Sequence, residues 1–403
     1  MAALLWSFQW AVSAFCWVCP GARVKRSQEI VRVIISGGGT GGHVYPALVV
    51  AEALSAGRGE TNSGPDILYV GSRGGVEEKL VARAGLPLES IPAGGLRALA
   101  PWTIAANSLR LIRGFARAWR ILRDFVPDVV FVTGGYVCAP VALAARLQKT
   151  PLMIYLPDLE PGLAIRALSR LANRVAVSFS EAGQFFSKTK VFTSGYPVRE
   201  AFLKADKATA REFFQLDKHA PTLAVFGGSR GARSINMAVS AVLEQLLDTC
   251  QVIHISGRLD AATMKARREG LSPVLKKGYR LYTYIYDEMP LALAAADLVL
   301  ARAGASTLGE FPALGLPSIL VPYPYAGAHQ ETNADFMVRH GAAIKILDAE
   351  LSERLLPAVK SLLGDEGKLA RMRARARELA RPDAAANIAQ EICRLAQTRT
   401  AGG

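Results

Sequence analysis

Two glycine-rich turns carry the residues whose types and spacing could do chemistry. Gly37-Gly38-Gly39-Thr40-Gly41-Gly42-His43 follows the apolar run Ile30-Val31-Arg32-Val33-Ile34-Ile35, and Gly227-Gly228-Ser229-Arg230-Gly231-Ala232 follows Thr222-Leu223-Ala224-Val225-Phe226. A strand, a turn without bulky side chains and a helix N-terminus together expose backbone N–H groups to an anion, usually a phosphate. His43 stands at the mouth of the first turn, where an imidazole is suited to taking a proton near neutral pH, so it reads as a general base. At the second turn Ser229 can add a hydroxyl hydrogen bond, and Asn236 lies two helical turns further along the same face. Glu310, among small and apolar residues, either caps a charge or accepts two ribose hydroxyls. His329, Gln330 and Asn333 supply neutral groups suited to a sugar.

Gly37-x-Gly39-x-x-Gly42 also matches the dinucleotide fingerprint, which asks for an acidic residue at the end of the second strand. Val70-Gly71-Ser72-Arg73 stands there, which argues against NAD and leaves NADP only the support of Arg73. With no Asp-x-Asp pair in the chain, a metal-bridged diphosphate is not indicated. Fixed N–H groups and helix dipoles would carry the leaving-group charge.

The elements that must position these residues alternate. Strand-like runs at 31–36, 67–71, 128–132, 152–155, 174–178 and 191–193 are separated by helical segments such as 46–56, 76–84, 103–124 and 139–147. A hinge is expected around Gly195-Tyr196-Pro197-Val198-Arg199. A second alternation follows, with strands at 222–226, 251–256, 280–284, 298–301 and 318–321. Such β-α alternation predicts an α/β protein of two Rossmann-like, doubly wound parallel sheets facing a cleft. The expected domains are 28–199 and 200–382, with 383–398 crossing back after Pro382-Asp383, and 1–27 an apolar extension.

The chain has 403 residues, 20% of them charged, and a formal net charge of +14. That balance favours acidic ligands or an anionic surface. Nucleic acid is disfavoured, because zinc-finger spacing, RNA-binding aromatics and long basic runs are missing. Scattered cysteines at 16, 19, 138, 250 and 393 fit a reducing compartment. Met1 to Cys19 is uncharged and just long enough for a membrane span, with Arg23, Lys25 and Arg26 behind it. Such a flank would leave the rest of the chain cytoplasmic. A spanning anchor, an interfacial one and a misassigned upstream start compete for this segment. Arg110, Arg113, Arg117 and Arg120 form a basic stripe beside Ile112, Phe115, Trp119 and Leu122. The stripe is either an ordinary solvated face or a contact with an anionic membrane.

Together these motifs resemble the MurG family of peptidoglycan glycosyltransferases, which add N-acetylglucosamine to lipid I and make lipid II. The resemblance runs over residues 30–398 and includes 38–46, Gly95-Leu96-Arg97, Gly134-Gly135-Tyr136-Val137, Pro197-Val198-Arg199, 227–232 with Asn236, 302–310 and 330–333. It implies the glycosyltransferase B fold, inversion at the anomeric carbon, and neither a required metal nor a cofactor. It further implies His43 as base, and an acceptor site from Gly39, Thr40, Gly41, Gly42, Arg97, Gly135, Tyr136 and Asp158. The implied UDP-GlcNAc site comprises Arg199, Ser229, Arg230, Asn236, Tyr286, Glu310, His329, Gln330 and Asn333. The expected partners are UDP-GlcNAc, lipid I and the anionic cytoplasmic face of the bacterial membrane, held peripherally. One departure stands out. The family's His-Glu-Gln-Asn is replaced by Tyr155-Leu156-Pro157-Asp158 on the acceptor side. It leaves open a paralogous transferase acting on another glycolipid. A UDP-sugar epimerase of the same fold is disfavoured by the basic stripe.

Overall fold

The computed structural model describes residues 30–56, 64–94, 101–228, 231–325 and 329–401. Seven strands pair in parallel in the first sheet: β1 (Arg32–Gly37), β2 (Asp66–Ser72), β3 (Leu88–Ile91), β4 (Val129–Gly134), β5 (Leu152–Leu156), β6 (Arg174–Val177) and β7 (Val191–Thr193). Their spatial order is β3-β2-β1-β4-β5-β6-β7. Six make the second: β8 (Thr222–Phe226), β9 (Gln251–Ile255), β10 (Tyr279–Tyr282), β11 (Leu298–Arg302), β12 (Ser318–Val321) and β13 (Ala343–Lys345), in the order β10-β9-β8-β11-β12-β13. The expected fold class is the one found. Two edge strands, β3 and β13, go beyond the sequence reading. Both are short, and Leu88-Glu89-Ser90-Ile91 carries no β-branched run to announce it.

Central strands such as Val129–Gly134 and Gln251–Ile255 are buried along their whole length, as a sheet covered on both faces requires. On one face of the first sheet Val33, Ile35, Phe131 and Tyr155 pack with Ile388, Ile392 and Leu395 of the last helix, Ala384–Ala401. That helix is further held by an ion pair from Arg174 to Glu391 at 2.6 Å. On the opposite face lie Val130, Val132 and the helices Pro101–Phe125 and Cys138–Leu147. The second sheet is sandwiched in the same way between two further apolar layers.

Each order reverses direction at one place, between β1 and β4 in the first sheet and between β8 and β11 in the second. Loops leaving the carboxyl ends of strands diverge there and open a crevice, which is where ligands bind in doubly wound sheets. The first glycine turn follows β1, the second follows β8, and Glu310 lies beyond β11. The chemistry-bearing residues therefore occupy both switch points. No helix among the described residues is long and apolar enough to cross a membrane, and residues 1–27 lie outside them.

Candidate active site

At the first switch point the turns after β1 and β4 stand back to back. The Gly38 N–H donates to Gly134 O at 3.1 Å. Gly135 has φ +91°, and a Cβ there would sit 2.3 Å from Gly38 O, so both conformation and space demand glycine. Thr40 O receives the N–H groups of His43 and Val44 as the helix Gly41–Ala56 starts. His43 is half-buried in the first turn of that helix, and its backbone oxygen accepts from Thr133 Oγ1 at 2.7 Å. Its ring Nδ1 lies 3.2 Å from Gly38 O and 3.3 Å from Thr40 Oγ1. A carbonyl oxygen can only accept, so this geometry assigns the proton of the neutral ring to Nδ1 and leaves the lone pair on Nε2.

The first turn departs from the expected phosphate cradle in one respect. The Gly39 N–H is directed at the buried carboxylate of Glu77, 3.3 Å away, and not outward to a diphosphate. Tyr136, just beyond Gly135, is half exposed. Arg97 lies outside the described residues.

At the second switch point Ser229 and Arg230 likewise lie outside the described residues. Asn236, expected at the donor, is wholly buried and has another role. It donates from Nδ2 to Ser256 O and to Asp260 Oδ2, both at 2.8 Å, and accepts on Oδ1 from His254 Nε2 at 2.9 Å. Asp260 can only accept when ionised, so it orients the Asn236 amide, which in turn sets the His254 tautomer and makes Tyr279 Oη the donor to Nδ1 at 2.8 Å. Burial pushes His254 down to about 4, so the ring stays neutral. This network underlies the second glycine turn, because Gly231 approaches so closely that a Cβ there would lie 2.5 Å from Ser256 O.

Glu310 opens the helix Glu310–Leu314 and is buried. Burial pushes its carboxyl up to about 7, against the opposing attraction of the Arg199 guanidinium. Arg199 belongs to the segment between the sheets and touches both halves. Its guanidinium lies over Tyr45 of the first half, 4.7 Å from the ring centroid, and Nη1 donates to Tyr286 O of the second at 3.4 Å. Arg83 stacks on the Tyr286 ring at 4.0 Å. A cavity of about 440 Å³ between the halves is lined by Tyr45, Arg83, Arg199 and Asp287 among others.

Asn333, also expected at the donor sugar, is instead fully engaged. Its Oδ1 accepts from Leu159 N at 3.1 Å, and its Nδ2 donates to Asp158 Oδ1 at 2.9 Å and to Ala303 O at 3.1 Å. Gln330 accepts from Tyr323 N at 3.0 Å through Oε1, which leaves its NH2 group available. Three buried polar atoms at the junction of the halves, Tyr196 Oη, Arg199 Nε and His329 Nδ1, have no hydrogen-bond partner among the described residues. Buried polar groups are seldom left so, and a hydroxyl-rich ligand could complete them. Gly42 and Ala305 show how close the halves come, since a Cβ on Gly42 would lie 3.8 Å from the Ala305 Cβ. Sequence reasoning missed Glu77, Tyr45, Arg83 and Tyr196. The flanking glycines at 71, 74 and 75 were the available signal for Glu77.

Family models for the glycosyltransferase family 28 N-terminal and C-terminal domains match residues 33–177 and 222–388. The chain is 44% identical to a protein of Desulforudis audaxviator over 91% of this chain and 99% of that one. It is 42% identical to a Roseiflexus protein over 89% and 94%. Both relatives are named UDP-N-acetylglucosamine–N-acetylmuramyl-(pentapeptide) pyrophosphoryl-undecaprenol N-acetylglucosamine transferase. The crystal structure of Acinetobacter baumannii MurG superposes with a TM-score of 0.69 at 26% identity, covering 90% of this chain and 99% of that one. The chain belongs to the MurG family of glycosyltransferases. His43 lies in the helix after β1, Glu310 in the helix after β11, and His329 and Gln330 in the helix after β12.

Proposed function

We propose that this chain transfers N-acetylglucosamine from UDP-GlcNAc to the muramyl 4-hydroxyl of lipid I, with inversion, giving lipid II and UDP. The observation that carries the mechanism is the Nδ1 contact of His43 with Gly38 O. With Nδ1 so occupied, Nε2 is the base. It takes the proton of the 4-hydroxyl as that oxygen bonds to the anomeric carbon and the bond to the UDP oxygen breaks. The charge that develops on the diphosphate is met by the second glycine turn with Ser229 and Arg230, and by Arg199, as in P-loop-like anion sites. Glu310 accepts the ribose hydroxyls, the Tyr286 segment borders the uracil, and His329 and Gln330 hold the sugar hydroxyls. On the acceptor side Thr40, Gly41, Gly42, Arg97, Gly135, Tyr136 and Asp158 surround lipid I.

The paralogue reading, which rests on the changed 155–158 segment, is outweighed by relatives sharing 42–44% identity over most of the chain whose names carry one acceptor. The protein works peripherally at the cytoplasmic membrane face, with the Pro101–Phe125 helix toward the anionic surface. Incubation with UDP-GlcNAc and a lipid I analogue should yield UDP and a disaccharide lipid. Release of UDP without a disaccharide product would overturn the acceptor assignment.

A further inference from the structure

Glu77 is fully buried at the start of the helix Val76–Arg83, beneath the first glycine turn. Its carboxylate accepts the Ser72 N–H at 2.9 Å, the Ser72 hydroxyl and the Gly39 N–H at 3.3 Å. The surrounding backbone is shaped to admit it. A Cβ on Gly38, Gly71 or Gly75 would come within 2.4, 2.8 or 2.4 Å of the Glu77 side chain. Three glycines, in the first glycine turn, in β2 and in the turn after it, thus leave room for one carboxylate. An interior carboxylate is costly unless its lone pairs are met, and three converging donors meet them.

Gly38 sits between this carboxylate and the base. Its carbonyl receives His43 Nδ1, and the peptide that follows it ends in the Gly39 N–H bonded to Glu77. We propose that Glu77 is the positioning residue of the first glycine turn: by accepting the Gly39 N–H it fixes the Gly38–Gly39 peptide so that Gly38 O holds the Nδ1 proton of His43 and Nε2 faces the acceptor hydroxyl. The proposal rests on the assignment of His43 as base. Other titratable groups packed on these turns stay neutral. Tyr69 of β2, which donates to Gly37 O, is raised well above its usual range by burial, and Cys138 after β4, which contacts Gly134 O, is pushed up to about 12. Tyr45, one turn along from Gly41 on the helix that carries His43, is raised by burial too, with Arg199, Tyr284, Asp287 and Glu310 charged or titratable around it.

The test is steady-state transfer by the full chain from UDP-GlcNAc to a lipid I analogue. Glu77→Gln should lower kcat by about tenfold or more, as misplacement of a reacting group does. The KM for UDP-GlcNAc should stay within about twofold. In that variant 15N NMR should show His43 no longer holding its neutral proton on Nδ1 alone. A Glu77→Gln enzyme with wild-type kcat overturns the proposal. So does a loss of kcat with the His43 proton still on Nδ1 alone, which marks a merely structural residue. A readout independent of the variant's folding is 15N NMR of the histidines in the wild-type protein. His43 should carry its neutral proton on Nδ1, and a proton on Nε2 overturns the proposal. If His43→Ala keeps its turnover while the Nδ1 tautomer is found, the base assignment fails and the Glu77 geometry stands.

Discussion

The carboxylate of Asp158 accepts a 2.9 Å hydrogen bond from the side-chain amide of Asn333, joining the loop after β5 to the helix His329–Arg339 of the other half. Asn333 closes the clasp by accepting from Leu159 N. The family's asparagine at position 158 is thus replaced by a residue that can still bind the amide facing it.

Asp158→Asn should therefore keep much of the transfer to lipid I, because an amide oxygen accepts the same bond. Asn333→Ala should be worse, costing about 1–3 kcal/mol of stability for each buried group it strands. Chemical denaturation and the lipid I assay separate the two variants. If Asp158→Asn abolishes transfer while His43→Ala remains active, Asp158 is the base and the roles are reversed.

Truncating the base is the second test. His43→Ala should cut turnover by about 10²–10⁴, the range for losing a general base, with donor affinity nearly intact. Near-normal turnover with a lipid I analogue would make His43 a structural residue of the turn.

Glu310→Ala should weaken UDP-GlcNAc binding by about 1–3 kcal/mol, the scale for leaving buried hydroxyls without their partner. Titration calorimetry with unchanged affinity would remove it from the ribose.

The burial of Glu310 also makes stability depend on pH. Its carboxyl sits at about 7 in the folded chain against an ordinary 4.5, so between these values the folded state keeps a proton that the unfolded chain has lost. Stability from this group therefore falls as pH rises from about 4.5 to 7 and is level above, a change of about 3 kcal/mol. Glu310→Gln should remove that slope in urea unfolding measured across this window. A variant retaining the wild-type slope would assign it to another group.

Membrane docking is expected to use the exposed side of the helix Pro101–Phe125. Ile112 on the predicted apolar stripe is 65% exposed, whereas Leu122 is buried and Phe115 and Trp119 pack inward. Arg117 is paired with Glu89 at 2.8 Å, so the exposed Arg113 and Arg120 are the better probes. Changing both to Glu should weaken binding to anionic vesicles by about 1 kcal/mol per charge. Binding of soluble UDP-GlcNAc should not change. Vesicle binding insensitive to both substitutions would turn the stripe into an ordinary solvated face.

What the sequence by itself determined is the local part of this protein. Alternating apolar runs and helical segments specify two parallel sheets, and the glycines after β1 and β8 mark turns that other residues could not form, as their positive φ angles at Gly39, Gly228 and Gly231 show. Those are properties of a few consecutive residues, and so they are written in the order of the chain. Tertiary structure decided where the polar groups spend their hydrogen bonds. Asn236 and Asn333 read as donor-binding amides in the sequence, yet Ser256, Asp260 and His254 consume the first, and Leu159, Asp158 and Ala303 the second. Glu77 lies 38 residues from the Gly39 N–H it accepts. A buried amide or carboxylate must be satisfied by whatever the fold brings within about 3 Å, and that partner is set by strand order and not by sequence neighbours.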